Sequence, residues 1–358
     1  MSVILAAKRS AVVPRGGAFA ALSLQDMAVP VIGALLAAAG ISGDQVDELI
    51  CANSLGAGGN PARVVALAAR VPERVAGLSI DRQCAGGLDA VLLARALVDS
   101  GAADVVIAGG VESYSRRPLR FRLEADGRRV EYDQPPFTPW PERDPGMAEA
   151  AAALAQRLGI ARENQDEWAV ESHRKAVAAN FGDEIVEVAG QRRDAFARVL
   201  TPEITRRAKG LAGTISGANA AVAADAAAFV LVVSDRIAAG RGLRIIGGVT
   251  LGGDPEEPGL APVAAIAAVL EKNVIAVKDL GIVELMEAYA VQAIACMRGA
   301  GLDPATINLS GGALARGHPI GASGAILAVR LFYQVKAGYG LAAIAAAGGI
   351  GTALLVEK

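Results

Sequence analysis

The chain has 358 residues, enough for two ordinary domains or one large duplicated unit. Its 53% hydrophobic and 20% charged content supports a large core and excludes a disordered chain. The net charge is −2 with acids and bases interspersed, which excludes the basic footprint of a nucleic-acid binder. Three cysteines, Cys51, Cys84 and Cys296, fall in no framework spacing and point to a reducing cytoplasm. The N-terminus lacks a basic run before an apolar one, so no signal peptide is expected.

Taken in chain order, Glu48-Leu49-Ile50 reads as a strand ending at Cys51, a small core residue. Asp81-Arg82-Gln83-Cys84-Ala85-Gly86-Gly87-Leu88 is a turn that places a cysteine ahead of a helical pattern, Asp89–Ser100. A thiol at a helix start is expected to have a lowered pKa and to be a better nucleophile. Asp104–Gly110 reads as a buried strand ending in a turn. Residues 115–212 break this alternation. They carry a Pro-rich piece (Pro135, Pro136, Pro139, Pro141, Pro145) and a helical run from about Pro145 to Asn180. They read as a cap over the site, or as a long surface loop with one packed helix. The pairs Arg116/Arg117, Arg128/Arg129, Arg192/Arg193 and Arg206/Arg207 lie among acids and read as solvated loops, with contacts to a charged ligand as the second reading. His173, within Glu171-Ser172-His173-Arg174-Lys175, reads as a solvated helix residue. Cys296 follows Ala290–Ala295 on a helix and reads as core.

The second informative turn is Gly311-Gly312-Ala313-Leu314-Ala315-Arg316-Gly317-His318-Pro319-Ile320-Gly321-Ala322-Ser323-Gly324. It holds one of two histidines in the chain, flanked by glycines that let backbone and ligand approach closely. The uncharged stretch Ala337–Val356 is twenty residues long, nominally enough for a membrane span. Five glycines interrupt it, and it reads instead as two buried strands joined by a Gly turn.

The chain echoes itself. Cys84–Gly110 runs Gly-Gly, helix with Arg95, Ser100-Gly101, strand, Gly109-Gly110. Ile320–Gly349 runs Gly-Ala-Ser-Gly, helix with Arg330, Ala337-Gly338, strand, Gly348-Gly349. Two similar α/β halves follow, residues 1–237 and 238–358, with Cys84 and His318 at matching helix starts. A cysteine and a histidine in such turns suggest covalent thiol catalysis.

These segments resemble the thiolase family over nearly the whole chain. Asn60-Pro61-Ala62-Arg63 is similar to its early motif, and Cys84 with Gly86-Gly87-Leu88 to its nucleophile turn. Gly109-Gly110-Val111-Glu112-Ser113 resembles its Gly-Gly-Met-Glu-Ser segment, and Gln165-Asp166-Glu167-Trp168-Ala169 its cap helix. Asn308 through Gly324 is similar to its Asn-x-x-Gly-Gly … Gly-His-Pro-x-Gly-Ala-Ser-Gly signature. The resemblance implies a five-layered α/β/α/β/α fold of two repeated halves with a cap inserted in the first. It implies acyl transfer between coenzyme A and an enzyme cysteine, with carbon–carbon bond cleavage or formation, in a homodimer or homotetramer. It implies no metal or prosthetic group, coenzyme A being part of the substrate. Cys84 and His318 would be catalytic, and the backbone N–H groups of Cys84 and Ala347 would form an oxyanion hole. Asn219, Ala221, Tyr289 and Gly317 are substrate-binding candidates.

The chain departs from the family where proton transfer is concerned. Ala345 stands where a second cysteine belongs in a Cys-x-Gly motif. Met286-Glu287-Ala288-Tyr289 stands for Asn-Glu-Ala-Phe, so a methionine replaces an asparagine. Asn219-Ala220-Ala221 stands for Asn-Ala-Ser. Loss of one oxyanion donor costs ~10²–10³ in rate, and loss of a general acid/base another ~10²–10⁴. Glu287 is structural or a substitute acid/base. Three functions remain open on this reading: an acyl-coenzyme A acyltransferase with impaired Claisen chemistry, an acyl-coenzyme A hydrolase or decarboxylative condensing enzyme, and a non-catalytic partner of a second subunit.

Overall fold

Runs of apolar residues without alternation form strands buried on both faces, as a sheet covered by helices requires. The computed structural model describes residues 1–56 and 58–358. In the first half the strands are Ser2–Ser10 (β1), Glu48–Ala52 (β2), the short edge strand Leu78–Ile80 (β3), Val105–Glu112 (β4) and Ala224–Ser234 (β5), with helices Leu24–Ala39 (α1), Pro61–Ala68 (α2) and Gly86–Asp99 (α3). Helix α1 is bounded by a Ser23/Asp26 capping box and by Gly40 at φ 68°. Asn60 caps α2, accepting from Arg63 N, with Pro61 in the first turn. Helix α3 starts three residues earlier than its apolar periodicity predicts, at Gly86.

Between β4 and β5 the chain makes its excursion, with helices Met147–Leu158 (α4) and Arg162–Ala178 (α5). The single helical run expected here is two helices, separated at Gly159, which has φ 60°. The second half comprises strands Leu243–Gly252 (β6), Leu280–Leu285 (β7), Tyr339–Ala346 (β8) and Ile350–Glu357 (β9) and helices Ala261–Asn273 (α6), Ala290–Gly299 (α7) and Ile320–Gln334 (α8). The uncharged stretch near the C-terminus is thus two strands, β8 and β9, turning at Gly348-Gly349, both at positive φ. No helix among the described residues is long and apolar enough to cross a membrane.

The strand order is β7-β8-β9-β6-β1-β5-β4-β2-β3. Among the described residues the strands of the two halves join in one sheet where Val3 and Ile4 of β1 pair with Arg244 and Leu243 of β6. Each half repeats the same pattern. β2 lies parallel to β4 as β7 does to β8, and β4–β5–β1 are antiparallel as β8–β9–β6 are. Even the short β3 has a counterpart, an isolated parallel bridge from Val283 to Ile307. Helices α1 and α2 cover the outer face of the first half, and α6 and α7 that of the second. Helices α3 and α8 lie between, in a core drawn from the inner faces of both. The result is the five-layered α/β/α/β/α arrangement.

Candidate active site

The two central helices fix the site because they touch at their starts. An ideal Cβ on Gly87 would lie 2.6 Å from Ala325 N, and one on Gly324 would lie 2.4 Å from Leu88 N. Only glycine allows this approach, which explains the Gly-rich character of both turns. Ahead of α3, Asp81 accepts from Gln83 N and Ser54 Oγ, and Gln83 adopts a left-handed φ of 49°. This sharp turn, Gln83–Ala85, lifts Cys84 clear of the helix. Ahead of α8, Gly317 at φ 111° and a hydrogen bond from His318 N to Val222 O set the histidine backbone.

Cys84 Sγ lies 3.1 Å from His318 Nε2. His318 Nδ1 lies 2.6 Å from Ser323 Oγ, which donates in turn to Pro319 O at 3.1 Å. The hydroxyl has one proton and gives it to the carbonyl, so it accepts from Nδ1–H. That tautomer leaves Nε2 as an acceptor facing the thiol. Burial holds His318 neutral, with its pKa lowered to about 4. The thiol departs from the sequence expectation. Burial raises its pKa to about 12, outweighing the pull of its own N–H and that of Ala347, while Glu112 and Asp81 add to the rise. The helix-start effect is overridden because the thiol sits in a largely apolar cleft between the two halves of the sheet. The resting pair is therefore a neutral thiol and a neutral imidazole. The backbone N–H groups of Cys84 and Ala347 both favour negative charge at the sulfur.

A cavity of about 310 Å³ opens over this pair. Cys84, His318 and Ile320 form part of its wall, and Ala345, Ala346 and Ala347 another. The excursion contributes Phe137 and, from α4, Met147, Ala150, Ala151 and Leu154, so it caps the site. Ala221 and Tyr289, two of the substrate-binding candidates, line the cavity. The other two do not. Asn219 is buried, its amide accepting from Ser216 N and donating to Asp166 Oδ1 and Thr214 O, so it braces the cap. At Gly317 a Cβ would meet Ala224 Cβ at 2.9 Å, which makes the glycine a packing requirement.

Ala345 presents only a methyl beside the cavity, and Met286 is buried in the central core rather than lining it. Glu287 is structural. It accepts from Trp168 Nε1, Ser172 Oγ, Asn308 Nδ2 and Leu314 N, tying α5 to the turn before His318. Cys51 is core in β2, and Cys296 is buried on α7, its thiol donating to Gly259 O at 3.0 Å. His173 corrects the expectation of a solvated residue. It is buried, accepts from Arg198 N and stands tilted against Phe196, because that face of α5 packs inward. Among the arginine pairs, Arg117, Arg128, Arg192 and Arg206 hold carboxylates of nearby residues, as solvated loops do.

Two contributors escaped sequence reasoning. Ser323 lies within the Gly-rich signature, five residues beyond His318, and the first turn of a helix could have suggested its return to the ring. Glu112 is buried and gathers four donors, Asn53 Nδ2, Ser54 N, Leu55 N and Gly321 N, locking the start of α8 against β4. Among the described residues no group of three or more His, Cys, Asp and Glu side chains converges as a metal site.

The thiolase N-terminal domain model matches residues 2–236 and the thiolase C-terminal domain model residues 243–358. The chain is 39% identical over 374 residues to YhfS of Bacillus subtilis, covering 99% of each protein. It is 36% identical over 388 residues to the acetyl-CoA acetyltransferase of Cupriavidus necator, again covering 99% of each. Its structure superposes on the Bacillus anthracis acetyl-CoA acetyltransferase with a TM-score of 0.93 at 32% identity, over 99% of this chain and 98% of that one. It superposes on human mitochondrial 3-ketoacyl-CoA thiolase in complex with CoA with a TM-score of 0.92 at 29% identity, over 100% and 98%.

Proposed function

This chain belongs to the thiolase family and is an acyltransferase, and from that premise we propose that it carries acyl groups between coenzyme A and Cys84, with weakened carbon–carbon chemistry. The observation that carries this reading is the 3.1 Å approach of Cys84 Sγ to a histidine nitrogen held as an acceptor. As sulfur attacks the thioester carbon, the thiol proton passes to His318 Nε2. The carbonyl oxygen takes up negative charge opposite the Cys84 and Ala347 N–H groups. Collapse of the tetrahedral intermediate expels the coenzyme A thiolate, which takes the proton from His318. None of these steps calls on residue 345 or 286.

Carbon–carbon bond making or breaking is different, because a proton must leave or return at the carbon alpha to a thioester. Ala345 and Met286 carry no exchangeable side-chain proton, which is the ground for proposing slow Claisen chemistry. Decarboxylative condensation is the second reading. It makes the enolate by losing carbon dioxide, and the bare wall at Ala345 favours it. The acetyl-CoA acetyltransferases among the relatives make acetyl-CoA the first substrate to test. Exposed Val64 and Leu67 on α2 beside Leu78 on the edge strand β3 support self-association into a dimer or tetramer.

Intact-protein mass spectrometry after incubation with acetyl-, longer acyl- and malonyl-coenzyme A tests the proposal. A mass gain equal to the acyl group, mapped to Cys84 and lost in Cys84→Ala, is the expected result. No adduct with any thioester would refute the acyl-enzyme and favour a non-catalytic partner.

A further inference from the structure

The cavity holds more polar groups than its chemistry has used. Gln83 is tied to Asp81, Gln292 to Ala288 N and Cys296, Glu257 to Arg157, and His318 to Ser323 and Cys84. That leaves Tyr114, Gln134 and Tyr289 as cavity-lining side chains whose polar ends have no protein partner among the described residues. Gln134 is exposed, and Tyr114 lies under the guanidinium of Arg117, itself paired with Asp133. Tyr289 is half-buried, as Tyr114 is, but carries no guanidinium over its ring among the described residues. Its ring packs with Ala151 and Leu154, and its backbone is pinned by a bridge to Ala220 and by the bond from Ala221 N to Ala288 O. Ala221 and Ala288 line the same cavity as Tyr289, Cys84 and His318.

We propose that the Tyr289 hydroxyl is a catalytic hydrogen-bond donor of this site, directed to the carbonyl oxygen of a bound acyl thioester as that oxygen becomes an enolate. The inference rests on the acyl-enzyme reading above and extends it to the carbon–carbon half of the reaction. The step is reversible and balanced. His318 Nε2, neutral once coenzyme A has left with its proton, accepts a proton from the alpha carbon. The electron pair of that C–H bond shifts to the carbonyl oxygen, and the Tyr289 O–H donates to it without transferring its own proton. Burial, with charge on Cys84 adding to it, raises the phenol to about 12, so it remains protonated and a donor at neutral pH. Met286 and Ala345 offer no donor, and the Tyr289 phenol supplies one that no protein group engages among the described residues.

The test is exchange of the alpha protons of acetyl-coenzyme A in D₂O, followed by NMR, with the protein and its Tyr289→Phe and Tyr114→Phe variants. Acylation of Cys84 is followed in parallel by intact mass. Tyr289→Phe removes one oxygen and keeps the ring, so the fold should hold. We expect exchange to slow by about 10²-fold in Tyr289→Phe, with Cys84 acylation within threefold of the unmodified protein and Tyr114→Phe unaffected in both assays. Exchange in Tyr289→Phe within threefold of the unmodified protein would overturn the assignment, as would a loss confined to Tyr114→Phe. An acylated unmodified protein that exchanges no deuterium would overturn it too, since no enolate would then form. Absence of any Cys84 adduct would instead sink the underlying acyl-enzyme reading, and this inference with it.

Discussion

The cavity has two unlike walls. On one, Cys84, His318 and Ser323 form a connected chain of hydrogen bonds, braced by two helix starts in backbone contact. On the other, Ala345, Ala346 and Ala347 present methyl groups, and Met286 is withdrawn into the core. The first wall has a nucleophile, a base of defined tautomer and one backbone donor, the Cys84 N–H. The second keeps only a backbone N–H, that of Ala347. Backbone donors survive side-chain substitution, whereas proton carriers do not. One fold can therefore retain half of a two-part reaction after losing side chains from the other half.

The largest expected effect comes from breaking the furnished wall. His318→Ala should slow Cys84 acylation by about 10²–10⁴-fold, measured by quenched-flow mass spectrometry. In the unmodified protein the pH dependence should reveal the partly buried setting of the ring. With its pKa lowered to about 4, His318 stays neutral across pH 6–8 and is protonated only as pH falls toward that value. Acylation should therefore hold down to about pH 5 and then fall. A decline centred on the ordinary histidine range near 6.5 would show that the ring is solvated.

Refurnishing the bare wall comes next. Ala345→Cys should raise thiolysis of 3-ketoacyl-coenzyme A by about 10²-fold, read from formation of the product thioester. Restoring asparagine at 286 is a poorer repair. Met286 packs in the central core, so Met286→Asn should cost about 1–3 kcal/mol of stability, measured by denaturant titration. The double variant should exceed Ala345→Cys only if the new amide finds water in the cavity.

A third change tests what holds the walls in place. Gly324→Ala puts a methyl 2.4 Å from Leu88 N and should destabilise the protein by about 1–3 kcal/mol, with a lowered Tm. Cys84 and His318 should separate along with α3 and α8. Ser323→Ala should have the smallest effect. Loss of one hydrogen bond to His318 Nδ1, about 1 kcal/mol, should slow acylation about fivefold without shifting its pH midpoint by a full unit.

The two walls also differ in how far the sequence discloses them. The helix starts are legible because close backbone approach allows only glycine, so Gly87 and Gly324 mark the meeting of α3 and α8 from either end of the chain. The losses at Ala345 and Met286 are legible as departures from a motif, but the withdrawal of Met286 from the cavity is a matter of packing. Burial is the property that sequence conceals most. Arg95 and Arg330 occupy echoing places in the two halves. Yet Arg95 is partly exposed and pairs with Asp99, whereas Arg330 is buried against Glu184 and Phe181. That pairing belongs to a buried network in which Arg9 also holds Glu184 and Asp194. Its partners lie far apart in the chain, so no local pattern announces it. His173 misleads in the same way, since its charged neighbours face solvent while it faces inward. The thiol of Cys84 is the sharpest case. Its helix start argues for ionisation, and only the surrounding volume shows that burial wins.

The most direct test of the account compares two rates on one protein. Acylation of Cys84 by acetyl-coenzyme A is followed by rapid-quench intact mass, and cleavage of acetoacetyl-coenzyme A by coenzyme A is followed under the same conditions. The account predicts that the acyl-enzyme forms at least about 10²-fold faster than the carbon–carbon bond is cleaved. Cleavage that keeps pace with acylation would contradict it, because the side chains at 345 and 286 would then impose no brake on carbon–carbon chemistry.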